Sequence, residues 1–184
     1  MASKEAQSKK TVKKTFFEFT APLTSTPIHL YGSSAEEFIG RTVKIDLTKN
    51  LRGKNLELKL RLKVNDGKLL GIPESLELGI AYIRRVMRKG TDYVEDSFVA
   101  ECRDVSVRVK PFLLTRKRVS REILKRLREE TKKNLESHLK TRNAEEIFSE
   151  IITNKLQKQL SIKLKKIYPL ALCEIRVFER VNKK

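Results

Sequence analysis

The sequence predicts an α+β fold: a small, mainly antiparallel sheet or barrel with helices packed against it. Three observations carry this. Leu56, Leu58, Leu60, Leu62 and Val64 alternate with Glu57, Lys59, Arg61 and Lys63, the pattern of a strand with one buried face and one charged face. Further period-two runs follow across the middle of the chain, roughly seven strands in all, mostly joined by short connections. The C-terminal third then steps by four, the spacing of two long helices. A length of 184 residues suits one domain of ordinary size.

Each element has a local reason. Lys4, Lys9, Lys10, Lys13 and Lys14 share the start of the chain with almost no bulky apolar residue, so residues 1–15 are expected to be a disordered basic arm. Order is expected from Phe16, with Phe17 and Phe19 on one side of a short strand that Pro22 ends. Ser34 and Glu37 have capping-box spacing for one turn of helix, which Gly40 can close. Val43, Ile45 and Leu47 alternate with polar residues, and Asn65, Asp66 and Gly67 signal a tight turn after the longest strand. Its hairpin partner is expected over 68–72. Ile80, Ile83 and Met87 space as a helix, with Gly90 as its C-cap. Phe98, Ala100 and Cys102 alternate, as do Val105, Val107 and Val109, and Pro111 is expected to break or end that run.

Val119, Ile123, Leu127, Leu135 and Leu139 form an i, i+4 ladder interrupted by Thr131. Asn143 and Glu146 resemble a second capping box, opening a ladder of Phe148, Ile152, Leu156, Leu160 and Leu164 that Pro169 stops. Cys173, Ile175 and Val177 suggest a last strand. The expected organisation is therefore the arm and a single domain over 16–184. That domain is β-rich over 16–115 and helical over 116–168, with the final strand at 171–180.

Charge is the dominant compositional feature. Lys plus Arg number 41 against 23 Asp plus Glu, a net +18, and charged residues are 35% of the chain, where about 25% is usual. The excess is uneven: net +3 over 1–20, +4 over 21–110 and +11 over 111–184. Solubility does not call for such asymmetry, whereas a polyanionic partner does. No run approaches the roughly 18–20 apolar residues of a membrane helix, and the polar basic start is unlike a secretory signal. Cys102 and Cys173 are too few for a disulfide framework or a metal knuckle, which points to a reducing, intracellular setting.

Catalytic candidates are sparse. His29 and His138 are the only histidines, neither at a recognisable spacing from a nucleophile or acidic pair, and no phosphate-binding glycine loop occurs. Glu36 with Glu37, and Glu145 with Glu146, sit in first helical turns, where the helix dipole explains them. No enzyme, cofactor or metal site is expected.

The basic groups carry more information. Arg116, Lys117 and Arg118 lead into the first long helix, on which Arg121, Lys125, Arg128 and Lys132 step by four, three and four to form one face. Arg84, Arg85, Arg88 and Lys89 cluster at the end of the middle helix, and Arg108 and Lys110 lie on the outer side of a strand. With Lys9, Lys10, Lys13 and Lys14 of the arm, these are the expected RNA-binding residues. Lys155, Lys158, Lys163, Lys165 and Lys166 could extend a basic rim. Phe16, Phe17, Tyr82 and Tyr93 could stack on bases, but aromatic residues are only 7% of the chain and core use is expected of them, which favours backbone contact with a folded RNA over base-stacking platforms.

Several segments resemble a known family. They are Ile-Gly-Arg-Thr-Val-Lys-Ile-Asp-Leu at 39–47, Arg-Val-Lys-Pro-Phe-Leu-Leu-Thr at 108–115, and Lys-Lys-Ile-Tyr-Pro-Leu at 165–170 followed by Glu174, Ile175 and Arg176. In order and spacing they are similar to the small-subunit ribosomal protein family of archaea and eukaryotes known as S-three-a-e, at archaeal length. Ala21 and Pro22 fit that pattern, without the Trp often seen nearby. Tyr82, Ile83 and Arg84 also fit, while Gly79 and Gly90 are less typical. The resemblance implies a β-barrel core with flanking helices and a structural role without catalysis. It implies a cytoplasmic, ribosome-bound protein on the platform, near the mRNA exit and the 3′ end of the small-subunit rRNA. Implied partners are that rRNA, neighbouring platform proteins and mRNA near the exit, with no membrane and no homo-oligomer. A free-standing RNA-binding factor that visits ribosomes is the alternative, with an RNA-directed enzyme and a protein scaffold behind it.

Overall fold

A computed structural model describes residues 13–181 apart from Ser25, Arg52, Asp66 and Gly67. The expected arm therefore lies outside the described residues except for Lys13 and Lys14, as do Asp66 and Gly67 of the expected turn. The described chain forms two compact units. One takes in the residues up to Arg41 with Leu62–Ile72, and the other Thr42–Arg61 with the residues from Pro73 onward.

In the first unit, β1 (Thr15–Thr20) and β2 (Pro27–Gly32) form an antiparallel ribbon. Phe19 is buried and Phe17 half-buried, on the side the alternation predicts. A 3₁₀ turn, Ala35–Phe38, follows. The expected capping box does not form: Ser34 makes no side-chain cap, and Glu37 Oε2 accepts from the Ser33 N–H at 3.1 Å instead of from that of Ser34. That bond, with Arg41 alongside, holds the Glu37 carboxyl below its ordinary pKa. Gly40 closes the turn at a φ of +77°, a region that suits glycine.

The second sheet contains β3 (Thr42–Asp46), β4 (Leu56–Asn65), β5 (Lys68–Leu78), β6 (Tyr93–Glu95), β7 (Phe98–Glu101), β8 (Ser106–Thr115) and β9 (Leu170–Arg180). Its order is β3-β4-β5-β9-β8-β6, with β7 on β8, and the registers of β3 on β4, β5 on β9, and β6, β7 and β9 on β8 are antiparallel. The path is open among the described residues, so the expected barrel closure is not among these pairings. What stands is a mixed α and β fold with a mostly antiparallel sheet.

Leu56, Leu58, Leu60 and Leu62 are all buried, as their alternation requires. Pro111 does not end β8. The strand passes through it on a register shift between Lys110 and Pro111, the kind of irregularity that accommodates a residue without an N–H. From Pro111 to Thr115 every residue is buried, because β8 is covered on both faces there. Tyr93–Glu95 is a strand too short for periodicity to reveal.

The helices of the second unit are α1 (Ile80–Val86), α2 (Arg121–Leu139), α3 (Ala144–Ile152) and α4 (Lys155–Leu164). α1 is shorter than expected: it stops at Met87, and only Ile83 of its apolar series is buried. Gly90, at φ +84°, turns the chain further on. The expected second long helix is two helices. Asn154 between them takes a φ of +58°, which breaks the ladder between Ile152 and Leu156. Nor does Asn143 cap α3 with its side chain. The Ala144 N–H donates instead to Asp104 Oδ1 at 3.0 Å, from the loop before β8. α2 packs on β6 and β7, α3 and α4 on β9, with Phe148 and Phe178 meeting edge to face at 4.9 Å.

Candidate nucleic-acid interface

α2 is fixed at its start by a short polar relay. Thr115, fully buried, accepts the Asp92 N–H at 3.0 Å and places its hydroxyl 2.8 Å from the carbonyls of Asp92 and Lys117. Asp92 Oδ2 accepts from the Val119 N–H at 2.9 Å. Ser120 then caps the helix, its Oγ accepting from the Ile123 N–H at 3.4 Å. Arg116, Lys117 and Arg118 thus project from a loop tied at both ends, and all three are exposed.

The inner side of α2 buries Leu127, Thr131, Leu135 and Leu139. Thr131 continues the ladder it was expected to interrupt, because its hydroxyl donates to the Leu127 carbonyl at 2.6 Å and leaves no open polar group. Arg121, Lys125, Arg128 and Lys132 are all exposed and fall within an arc of about 60°. An i, i+4 ladder drifts by about 40° per step, so the buried stripe turns toward the basic one. Lys132 is where the basic stripe ends, its ammonium 5.8 Å from the Phe98 ring centre. Lys125 with Glu129 and Lys132 with Glu136 are exposed pairs at 4.0 Å, worth only about 0.3–0.5 kcal/mol each. Arg121 and Arg128 have no ion-pair partner among the described residues.

Tertiary structure joins groups that are far apart in the chain. Arg85 and Arg88 share one open hollow with Arg116, alongside Val86, Thr91, Leu114 and Ala171. Arg85 is steadied there: it donates to the Gly53 carbonyl at 2.9 Å and lies over the Tyr82 ring. Arg84 and Lys89 are exposed but do not line that hollow. Lys110 and Arg128 line a second hollow with Tyr93, Glu95, Asp96 and Ser97, where Glu95 is engaged by Arg176. Arg108 is the weakest candidate, since Glu179 stands 3.6 Å away on β9. Lys13 and Lys14 are exposed on the first unit, and Lys9 and Lys10 lie outside the described residues.

Some features were not singled out from sequence. Arg126 lines a further hollow with Glu129, Glu130, Lys163 and Lys166, a grouping that the charge run of the last helix hinted at. Tyr31 is exposed beside Phe16 on the ribbon, a neighbour that only the strand register reveals.

Both histidines are tied to carboxylates. His29 Nδ1 is 2.8 Å from Glu18 and His138 Nε2 is 2.7 Å from Glu150. Arg142 also engages Glu150, and burial, then the charges of Arg142, Lys163 and Lys155, pushes the His138 imidazole below its ordinary pKa. Among the described residues no three His, Cys, Asp or Glu side chains converge as metal ligands. Burial raises the Cys102 thiol to about 11 and the Cys173 thiol to about 12, so both stay protonated at neutral pH.

The pattern is a stable scaffold presenting guanidinium and ammonium groups on tied loops and a helix face. The model of the Ribosomal S3Ae family matches residues 3–184. The chain belongs to that family. It is 28% identical over 174 residues to the protein named small ribosomal subunit protein eS1 of Nanoarchaeum equitans, covering 90% of this chain and 88% of that protein. A second protein of the same name, from Methanothermobacter thermautotrophicus, is 30% identical over 95 residues, covering 51% of this chain and 49% of its own length.

Proposed function

We propose that the chain is a structural, rRNA-binding protein of the small ribosomal subunit, where it takes part in translation without catalysing a reaction. The observation that carries this reading is the exposed stripe of Arg121, Lys125, Arg128 and Lys132 on a helix whose other side is committed to the core. The hollow joining Arg85, Arg88 and Arg116 adds a second cationic surface, and the names of the two relatives supply the small subunit. Guanidinium groups suit phosphate oxygens because their forked donors match them in geometry. We place the protein in the cytoplasm, on the platform of the subunit near the mRNA exit. Residues 16–184 serve one rRNA-binding task there among neighbouring proteins, and the basic arm 1–15 makes a further contact with RNA backbone.

The test is charge reversal on the exposed stripe. Arg121→Glu, Lys125→Glu and Arg128→Glu together remove three phosphate contacts from positions that support no packing. Binding of the full chain to small-subunit rRNA should weaken, and the slope of log affinity against log salt should become shallower by about 2–3. Incorporation into subunits should fall while the thermal unfolding of the free protein is unchanged. Normal incorporation of this triple variant would overturn the assignment of α2. Loss of the wild-type protein from subunits in a high-salt wash would favour a factor that visits ribosomes transiently.

A further inference from the structure

The ribbon of β1 and β2 carries an aromatic feature that the cationic surfaces do not explain. Its register sets Phe16 opposite Tyr31, Glu18 opposite His29 and Thr20 opposite Pro27, all on one face. The other face holds Phe17, half-buried, and Phe19, buried, and is committed to packing, with Phe17 meeting Phe38 edge-on at 5.7 Å. On the first face, Phe16 is 71% exposed and Tyr31 59% exposed, with ring centres 5.0 Å apart. Among the described aromatic pairs, this is the one in which both rings face solvent. Tyr93 is also exposed, but its partner Phe112 is buried, and the other two pairs turn inward.

Steadying a two-stranded ribbon accounts for the contact between the rings, but not for leaving their outer surfaces in water. The charges around them are selective. Lys14 holds its ammonium over the Tyr31 ring, 5.8 Å from the ring centre. Glu18, the acid on that face, is paired with His29 at 2.8 Å. The face therefore offers two π surfaces at one end, tilted 47° to each other, with the Lys14 ammonium over one of them. An unpaired nucleobase needs a flat apolar surface for its ring and a cation for the attached phosphate. Both lie on this one ribbon.

We propose that Phe16 and Tyr31 form a stacking platform for an unpaired RNA base, with Lys14 meeting its phosphate. This rests on the rRNA-binding reading and adds a different mode of contact: a single-stranded base at the ribbon, in place of the backbone-only recognition that a low aromatic content suggests.

The decisive comparison uses the full-length chain and small-subunit rRNA, with affinity measured by filter binding from about 50 to 200 mM salt. Phe16→Leu with Tyr31→Leu keeps apolar bulk on an exposed face and removes both π surfaces. Phe16→Tyr with Tyr31→Phe keeps them. The leucine variant should bind about tenfold more weakly with an unchanged salt slope, because no phosphate contact is removed, and the aromatic swap should bind as wild type does. Ultraviolet crosslinking should join a peptide containing Phe16 or Tyr31 to an unpaired nucleotide. Equal affinity of the leucine variant and wild type would overturn the platform while leaving the RNA-binding reading intact. Equal affinity together with poor incorporation into subunits would overturn it in favour of an apolar protein neighbour. A weakened affinity with a shallower salt slope would also overturn it, since that marks a lost backbone contact. Failure of the wild type itself to bind rRNA would remove the platform and the underlying reading together.

Discussion

Lys54 and Glu174 show how much a single side chain can carry here. Both are buried, with Lys54 Nζ 2.6 Å from Glu174 Oε2 and 2.7 Å from Asn154 Oδ1. The ammonium thereby links the chain before β4 to the break between α3 and α4 and to β9. Removing the cation alone strands a carboxylate in the interior. Lys54→Met should cost about 3–5 kcal/mol in denaturant unfolding, while pairing it with Glu174→Leu should recover most of that loss. A comparable cost for the double variant would mean that the carboxylate is not stranded. The thiols give a pH-dependent counterpart. Cys173 is held protonated, mainly by burial and then by Glu174, at about 12 against 9.0. The folded state therefore binds the proton more tightly, and the stability it contributes is whole below pH 9.0 and lost progressively toward pH 12. Melting temperature should fall over that window, and less steeply in Cys173→Ala. Iodoacetamide at neutral pH should label Cys102 and Cys173 slowly in the folded protein and quickly once it is unfolded.

An element is legible in the sequence where its own residues decide it and hidden where a distant residue does. The alternation of Leu56, Leu58, Leu60 and Leu62 needs only one buried face, and that face is where it was expected. The start of α3 is different. Asn143 has the right side chain at the right position, yet Asp104, forty residues earlier, supplies the cap at 3.0 Å. Asp104→Ala should therefore destabilise the protein by about 1 kcal/mol, whereas Asn143→Ala should cost much less. Chemical denaturation of the two variants side by side checks this, and the reverse order would return the cap to Asn143. The split between α3 and α4 has the same character. Nothing in the ladder from Phe148 to Leu164 announces a break, but Asn154 tolerates a left-handed backbone and its side-chain oxygen is taken by Lys54. β8 crosses Pro111 because a register shift against β9 absorbs the missing N–H.

At the scale of the whole chain, the +18 net charge is a statement about a partner, and its concentration over 111–184 is visible without any coordinates. So are the period-two strands, the basic stripe of α2 and the kinship with the ribosomal S3Ae family, because each depends on residue order along one segment. Periodicity fixes which face of a segment is apolar, and hence which face is left for cations. Residue order could not determine which segments become neighbours. Only the fold sets Arg85 and Arg88 beside Arg116, pairs Arg108 with Glu179, and stands Phe16 against Tyr31 with both rings in solvent. Those relations come from strand pairing and from packing between elements distant in the chain. The physical cause is that a side chain's accessibility and its neutralisation are set by what packs across from it, while the sequence alone specifies what it is and which way its own element turns it.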